Sequence, residues 1–181
     1  MAMTLITTNT SSNAASSSFT SSIDSTYKLY IFKFIDINPA TDAADFTFQV
    51  NATDGADYND SAITSTVFRA YHRENDNNAS LDYVTGEDQA QGTAFQILAS
   101  AIGNDADQSC AGELHLFNPA STTYVKHFYA RMSRYFPSGS GDGAGDHFAA
   151  GYINDTTAID DIQFKMSSGN FDGTIKMWGV K

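Results

Sequence analysis

Between Ala44 and Val50 the chain alternates apolar and polar residues one for one. Phe46, Phe48 and Val50 fall on one side, with Asp45, Thr47 and Gln49 on the other. A period of two is what an extended strand with one buried face produces, and a helix does not. Residues 27–36 (YKLYIFKFID) read as a strand from their aromatic and β-branched content, with Lys28 and Lys33 on opposite faces. The alternating grammar returns in residues 63–72 (ITSTVFRAYH), 113–117 (ELHLF), 123–132 (TYVKHFYARM), 147–153 (HFAAGYI), 159–166 (IDDIQFKM) and 174–180 (TIKMWGV). Aromatic and β-branched residues dominate them, as a pleated, half-buried surface favours. Clusters of Gly, Asn, Asp and Ser separate the segments and read as turns or loops. Among them, residues 53–60 read as an exposed loop, and residues 138–146, containing the Gly139 to Gly145 run, as a mobile one. About eight strands without alternating helices predict an all-β fold, a jelly-roll-like β-sandwich of antiparallel strands. Residues 88–102 fit either period, but Gly92 lies inside them and the reading leans to a strand after a short turn.

One further segment stands apart. From Thr7 to Ser22, 11 of 16 residues are Ser or Thr. Such a tract has little apolar surface to offset its ordering entropy, so residues 1–22 are expected to be a flexible arm. It is either a frayed terminus or an arm that becomes ordered against a neighbouring subunit and helps to link subunits in the assembly. Residues 23–181 are then a single domain, which suits 181 residues and 19.6 kDa.

Charge excludes several functions. Lys and Arg total 10 against 21 Asp and Glu, for a net charge of -11. Non-specific nucleic-acid binding depends on cations that neutralise phosphates, and anionic membranes attract polybasic segments, so neither partner is expected. No apolar run approaches the ~20 residues of a membrane span, and the first ten residues lack the charged and apolar regions of a signal peptide.

Motifs for chemistry are weak. Cys110 is the single cysteine, so no intrachain disulfide forms. The histidines, at 72, 115, 127 and 147, lack zinc-ligand spacing, and His115 and His127 read as packing residues within strands. No Gly-x-Ser-x-Gly elbow is present, and the glycines from Gly139 to Gly145 do not match a dinucleotide loop. Acid pairs that could serve a two-carboxylate hydrolase, such as Asp160-Asp161, Glu87-Asp88 and Asp105/Asp107, are plentiful, and so acid-rich a chain produces them by chance. Asp54, Asp57, Asn59 and Asp60 offer hard oxygens for a calcium loop without the EF-hand spacing, as do Asn104, Asp105 and Asp107. Trp178 alternates with apolar neighbours and reads as core. No cofactor is expected, and the chain is not expected to be an enzyme.

Several stretches are more distinctive than any catalytic motif. They are residues 23–27 (IDSTY) running into 30–34 (YIFKF), 37–42 (INPATD), 87–93 (EDQAQGT) and 116–123 (LFNPASTT). Residues 159–160 (ID), 162–171 (IQFKMSSGNF) and 173–175 (GTI) complete the set. In content and order they resemble a family of small proteins widespread in the genomes of marine tailed bacteriophages. Members of that family often end in Leu-Tyr-Gly, where this chain has Met177-Trp178-Gly179. The resemblance implies a virion structural protein with a β-sandwich body, and it carries no catalytic residues with it.

Together these readings lead to an expected function. The chain would be a structural protein on the surface of a phage particle, decorating the capsid or forming part of the tail. Its partners would be other copies of itself, with a trimer the expected closed oligomer, and other virion proteins. The alternative is a carbohydrate- or receptor-binding adhesin module that contacts host surface glycan through the loops around Asp54 and Gly141.

Overall fold

The computed structural model describes residues 2–53, 57–59 and 61–181. Among these the chain forms thirteen strands and no helix. They are β1 (Met3–Ala14), β2 (Ser17–Phe19), β3 (Leu29–Pro39), β4 (Ala44–Ala52), β5 (Ile63–Arg73), β6 (Ala79–Tyr83) and β7 (Ala90–Gly92). The chain continues through β8 (Gln96–Ile102), β9 (Cys110–Phe117), β10 (Lys126–Phe136), β11 (Gly143–Ile153), β12 (Ile159–Met166) and β13 (Phe171–Val180). No helix long and apolar enough to cross a membrane occurs among the described residues.

Two antiparallel sheets form a sandwich. The larger has the order β1-β13-β3-β9-β10-β11-β5-β6, with β7 also paired to β5; the smaller has the order β2-β12-β4-β8. All eight segments read as strands are strands, β3, β4, β5, β9, β10, β11, β12 and β13. Residues 88–102 resolve into β7 and β8, the strand reading of that ambiguous stretch. The core lies between the sheets and is dominated by phenylalanine. Phe32 and Phe34 from β3 meet Phe46 and Phe48 from β4 and Phe164 from β12, all essentially inaccessible to solvent.

The amino-terminal segment is not a free arm. β1 runs antiparallel to β13 from Met3 opposite Val180 to Ala14 opposite Phe171, and β2 pairs with β12 in the other sheet. Phe19 is buried against Phe32 and Phe164. Backbone hydrogen bonds need no apolar side chain, and threonine favours extended backbone, so a tract that looked too polar to order is ordered by the edges it completes. The long glycine-rich loop is likewise shorter than its composition suggested, because β11 begins at Gly143, opposite Phe136. What remains is tied down at Asp142, whose carboxylate accepts from Ser138 N (2.8 Å) and Tyr135 Oη (2.6 Å).

Candidate binding face on the larger sheet

Strand parity sorts the larger sheet into two faces. Phe128, Ala130 and Met132 of β10 point into the sandwich; His127, Tyr129, Arg131 and Ser133 point away from it. No layer of described residues packs over that outer face, yet it is not the polar surface such a face usually carries. Antiparallel register arranges it in three rows across the strands. One row runs Trp178, Ile31, His115, Tyr129, Ala150 and Thr66. The next runs Lys33, Glu113, Arg131, Phe148, Phe68 and Tyr83. The third is made mostly of small residues: Ala111, Ser133, Asp146 and Ala70, ending at Leu81.

Side chains within these rows interlock. The His115 imidazole stacks on Tyr129 at 4.4 Å between ring centres. The Arg131 guanidinium lies 4.9 Å from the centre of the Phe148 ring, and Phe148 stacks on Phe68 at 4.7 Å with an interplanar angle of 8°. Arg131 also pairs with Asp146 (2.8 Å), a bond that raises the guanidinium's affinity for its proton. Glu113 accepts from His115 Nε2 at 2.9 Å and lies 3.6 Å from Lys33 Nζ. The bond from His115, reinforced by Lys33, holds the Glu113 carboxyl below its ordinary range.

The small-residue row leaves space. A hollow of about 730 Å³ lies over β3, β9, β10, β11 and β5, floored by Ala70, Ala111, Ser133 and Ala144 and rimmed by Lys33, Glu113, Arg131, Asp146 and His72. A second hollow of about 320 Å³ adjoins it across Arg131, between Tyr129 and the Phe68–Phe148 stack. From Phe68 at the wall of the second hollow outward the sheet end is apolar and open: Phe68 is 41% exposed, Tyr83 55% and Leu81 72%.

The residues singled out from sequence are dispersed. Asp54 and Asp60 of the calcium-loop reading lie outside the described residues; Asp57 is exposed and accepts from both the backbone and side-chain nitrogens of Asn59. Asp105 bonds within its own turn to Gln108, and Asn104 reaches Ala40 O. Among the described residues no group of three or more His, Cys, Asp or Glu is arranged to hold a metal ion. Asp160 and Asp161 are consecutive in β12; burial, then the charge of Asp160, raises the Asp161 pKa. Asp88 accepts from Tyr83 Oη at 2.6 Å. Cys110 is fully buried, and desolvation pushes its thiol up to about 12, far from a nucleophile's range. His127 is exposed, edge-on to Tyr152, and not a packing residue. Trp178 is half-buried on the outer face between Leu5 and Ile31, not in the inter-sheet core, because its parity is opposite to that of Met177.

Glu87 is the acid with a defined role. It reaches between the sheets, with Oε1 3.5 Å from Arg69 Nη1 and Oε2 3.3 Å from His147 Nε2. Arg134 Nε donates to His147 Nδ1 (3.3 Å), which places the imidazole proton on Nε2, between Glu87 and Ser100 Oγ (3.2 Å). Burial opposes ionisation of Glu87, but the bonds from His147 and Ser100 and the Arg69 charge outweigh it, and the carboxyl titrates below its ordinary range. A depressed folded pKa contributes stability that is complete above the unfolded value and lost as pH falls through the folded one. The Glu87→Gln variant should therefore be less stable than the parent at neutral pH, with the gap closing as pH drops below the ordinary carboxylate range. Urea unfolding at several pH values measures this; a gap independent of pH contradicts it.

Comparison of the chain with protein-family models, with curated proteins and with solved structures returns no match in any of the three.

Proposed function

We propose that the chain is a virion structural protein of a tailed bacteriophage, a jelly-roll-like subunit that decorates the capsid or forms part of the tail. It works through contacts of the outer face of its larger sheet with further copies and with other virion proteins. One observation carries the reading: an unlayered sheet face presenting Leu81, Tyr83, Phe68 and Tyr129 to solvent. A contiguous apolar face of this kind is costly on an isolated subunit and is used where a partner covers it. The sequence resemblance to phage proteins supplies the setting, and the interlocked sheets, with the amino terminus woven into both, supply a rigid body on which to build an assembly.

Particles of a phage encoding this chain test the proposal. Antibody against the protein should decorate intact particles at repeated positions, and particles built with the Leu81→Asp protein should carry several-fold less of it. Purified particles without the protein would overturn the reading.

The hollow beside Arg131 supports a second reading, a glycan-binding adhesin. Its volume falls within the ~300–1,000 Å³ of small-ligand clefts, its rim carries charged hydrogen-bonding groups, and the adjoining hollow adds the aromatic faces of Tyr129, Phe68 and Phe148. In this form the binding residues are on the sheet and not in the loops around Asp54 and Gly141. Saturable binding on a glycan array, lost in Arg131→Ala, would favour it over assembly; an unresponsive array would remove it.

A further inference from the structure

The chain has four arginines, and three of them meet at one place. Arg69 and Arg73 stand four residues apart on β5 and so share its inward side, with Tyr71 between them; Arg134 enters from β10, followed by Phe136. Together with Ala101, Pro137 and Ser138 these side chains line a pocket of about 270 Å³. It is separate from the hollows of the outer face, since β5 and β10 direct these residues to the other side of the sheet.

The donors in this pocket are only partly used. Arg134 donates to Ala101 O (2.9 Å) and to His147 Nδ1 (3.3 Å), and Arg69 reaches Glu87 at 3.5 Å. Nε of Arg69 and Nε of Arg73 are both buried without a hydrogen-bond partner. The ion pairs among the described residues involve Lys33, Arg69, His72, His115, Arg131 and His147, and none of them includes Arg73. Two carboxylates, Glu87 and Asp45, act on Arg134, against three guanidinium groups. Asp45 is already committed to Ala101 N (2.8 Å). Like-charged groups gathered around buried, unfilled donors are costly in any chain, and more conspicuous in one that carries a net charge of -11. Their strain is visible in Arg134: burial, followed by the neighbouring Arg69 charge, pulls its pKa down to about 10.

We propose that the Arg69–Arg73–Arg134 pocket is a binding site for an oxyanion, a sulfate, phosphate or carboxylate group. Guanidinium forks present paired N–H donors to such a group, and its charge would relieve the repulsion among the three cations. The Tyr71 and Phe136 rings, edge to face at 5.9 Å, give the pocket an apolar wall against which the body of an organic anion can rest. The anion arrives either free or as a substituent on an acidic sugar, and both sources present the same group to the arginines.

The test is a titration of the full-length, isotope-labelled protein with sodium sulfate at constant ionic strength, followed by the arginine Nε–H resonances. Signals of Arg69, Arg73 and Arg134 should move saturably, while that of Arg131, on the outer face, should not. Arg73→Gln removes a guanidinium with no ion pair to break among the described residues, and should weaken sulfate binding about tenfold or more, as the loss of a charge-assisted contact implies. Arg73→Lys, which keeps the charge without the fork, should fall between. In parallel, a sulfated monosaccharide and its uncharged parent separate the sources. Tighter binding of the sulfated sugar than of sulfate assigns the anion to a glycan, and equal binding assigns it to the free ion. Shifts that fail to saturate, or that persist unchanged in Arg73→Gln, overturn the site, as does equal binding of the uncharged sugar.

Discussion

Replacing Phe164 by alanine should lower the stability of the protein by about 3–5 kcal/mol, the range for deleting a fully buried aromatic ring. Phe164 sits where the two sheets meet, against Phe19 of β2. Its ring centre lies 5.1 Å from Phe34, 5.4 Å from Phe32, 5.9 Å from Phe46, 6.2 Å from Phe19 and 6.5 Å from Phe48. These partners come from β2, β3 and β4, so no single neighbour can relax into the vacated volume without losing contacts of its own. Because domains are stable by only ~5–15 kcal/mol, the change removes a large share of the total. Urea unfolding of the two proteins measures it. A loss below about 1 kcal/mol would mean that the core is not packed around this ring.

Removing residues 1–22 should have an effect at least as large. A flexible arm would be dispensable to the fold, and its truncation would disturb only assembly. The structure leads to the opposite expectation. Truncation strips β1 from β13 and β2 from β12 and takes Phe19 out of the core, a loss on the order of 3–5 kcal/mol from that ring alone. It also leaves β13 as a long unpaired edge, open to pairing with other chains. The truncated protein should accumulate in the insoluble fraction, or unfold at far lower urea concentration than the full chain. Soluble protein with an unchanged unfolding midpoint would restore the free arm.

What could be read from the sequence followed from what alternation reports. Period two separates the apolar from the polar side of a strand, and Phe46, Phe48 and Val50 are indeed in the core. It does not show that the opposite side is covered as well, where Thr47 and Gln49 are buried and hydrogen-bonded to backbone carbonyls of Lys165, Ser61 and Thr93. It is silent where ordering comes from the backbone, and that is why the Ser/Thr tract passed for an arm. Alternation also cannot say which parity faces inward when both faces are apolar. Trp178 and Met177 are adjacent and both hydrophobic, and only pairing with Ile31 and Phe32 of β3 shows that the tryptophan is the outer one. The role of His147 is not legible in the sequence because its partners, Glu87, Ser100 and Arg134, are distant from it along the chain. The arginine pocket left one trace: Arg69, Tyr71 and Arg73 occupy i, i+2 and i+4 of a strand and must share a face. Arg134 joins them only through the sheet order that sets β10 beside β11 and β11 beside β5.

The outer face of the larger sheet is the centre of the functional account, and sedimentation equilibrium of the purified protein tests it most directly. The wild-type chain should sediment as a closed oligomer, a trimer by our reading. The double variant Phe68→Asp, Leu81→Asp should sediment as a monomer with an unchanged circular dichroism spectrum, since both side chains are exposed and neither belongs to the core. A wild-type protein that stays monomeric at every concentration, or a double variant that assembles as well as the parent, would contradict the claim that this face is where the protein meets its partners.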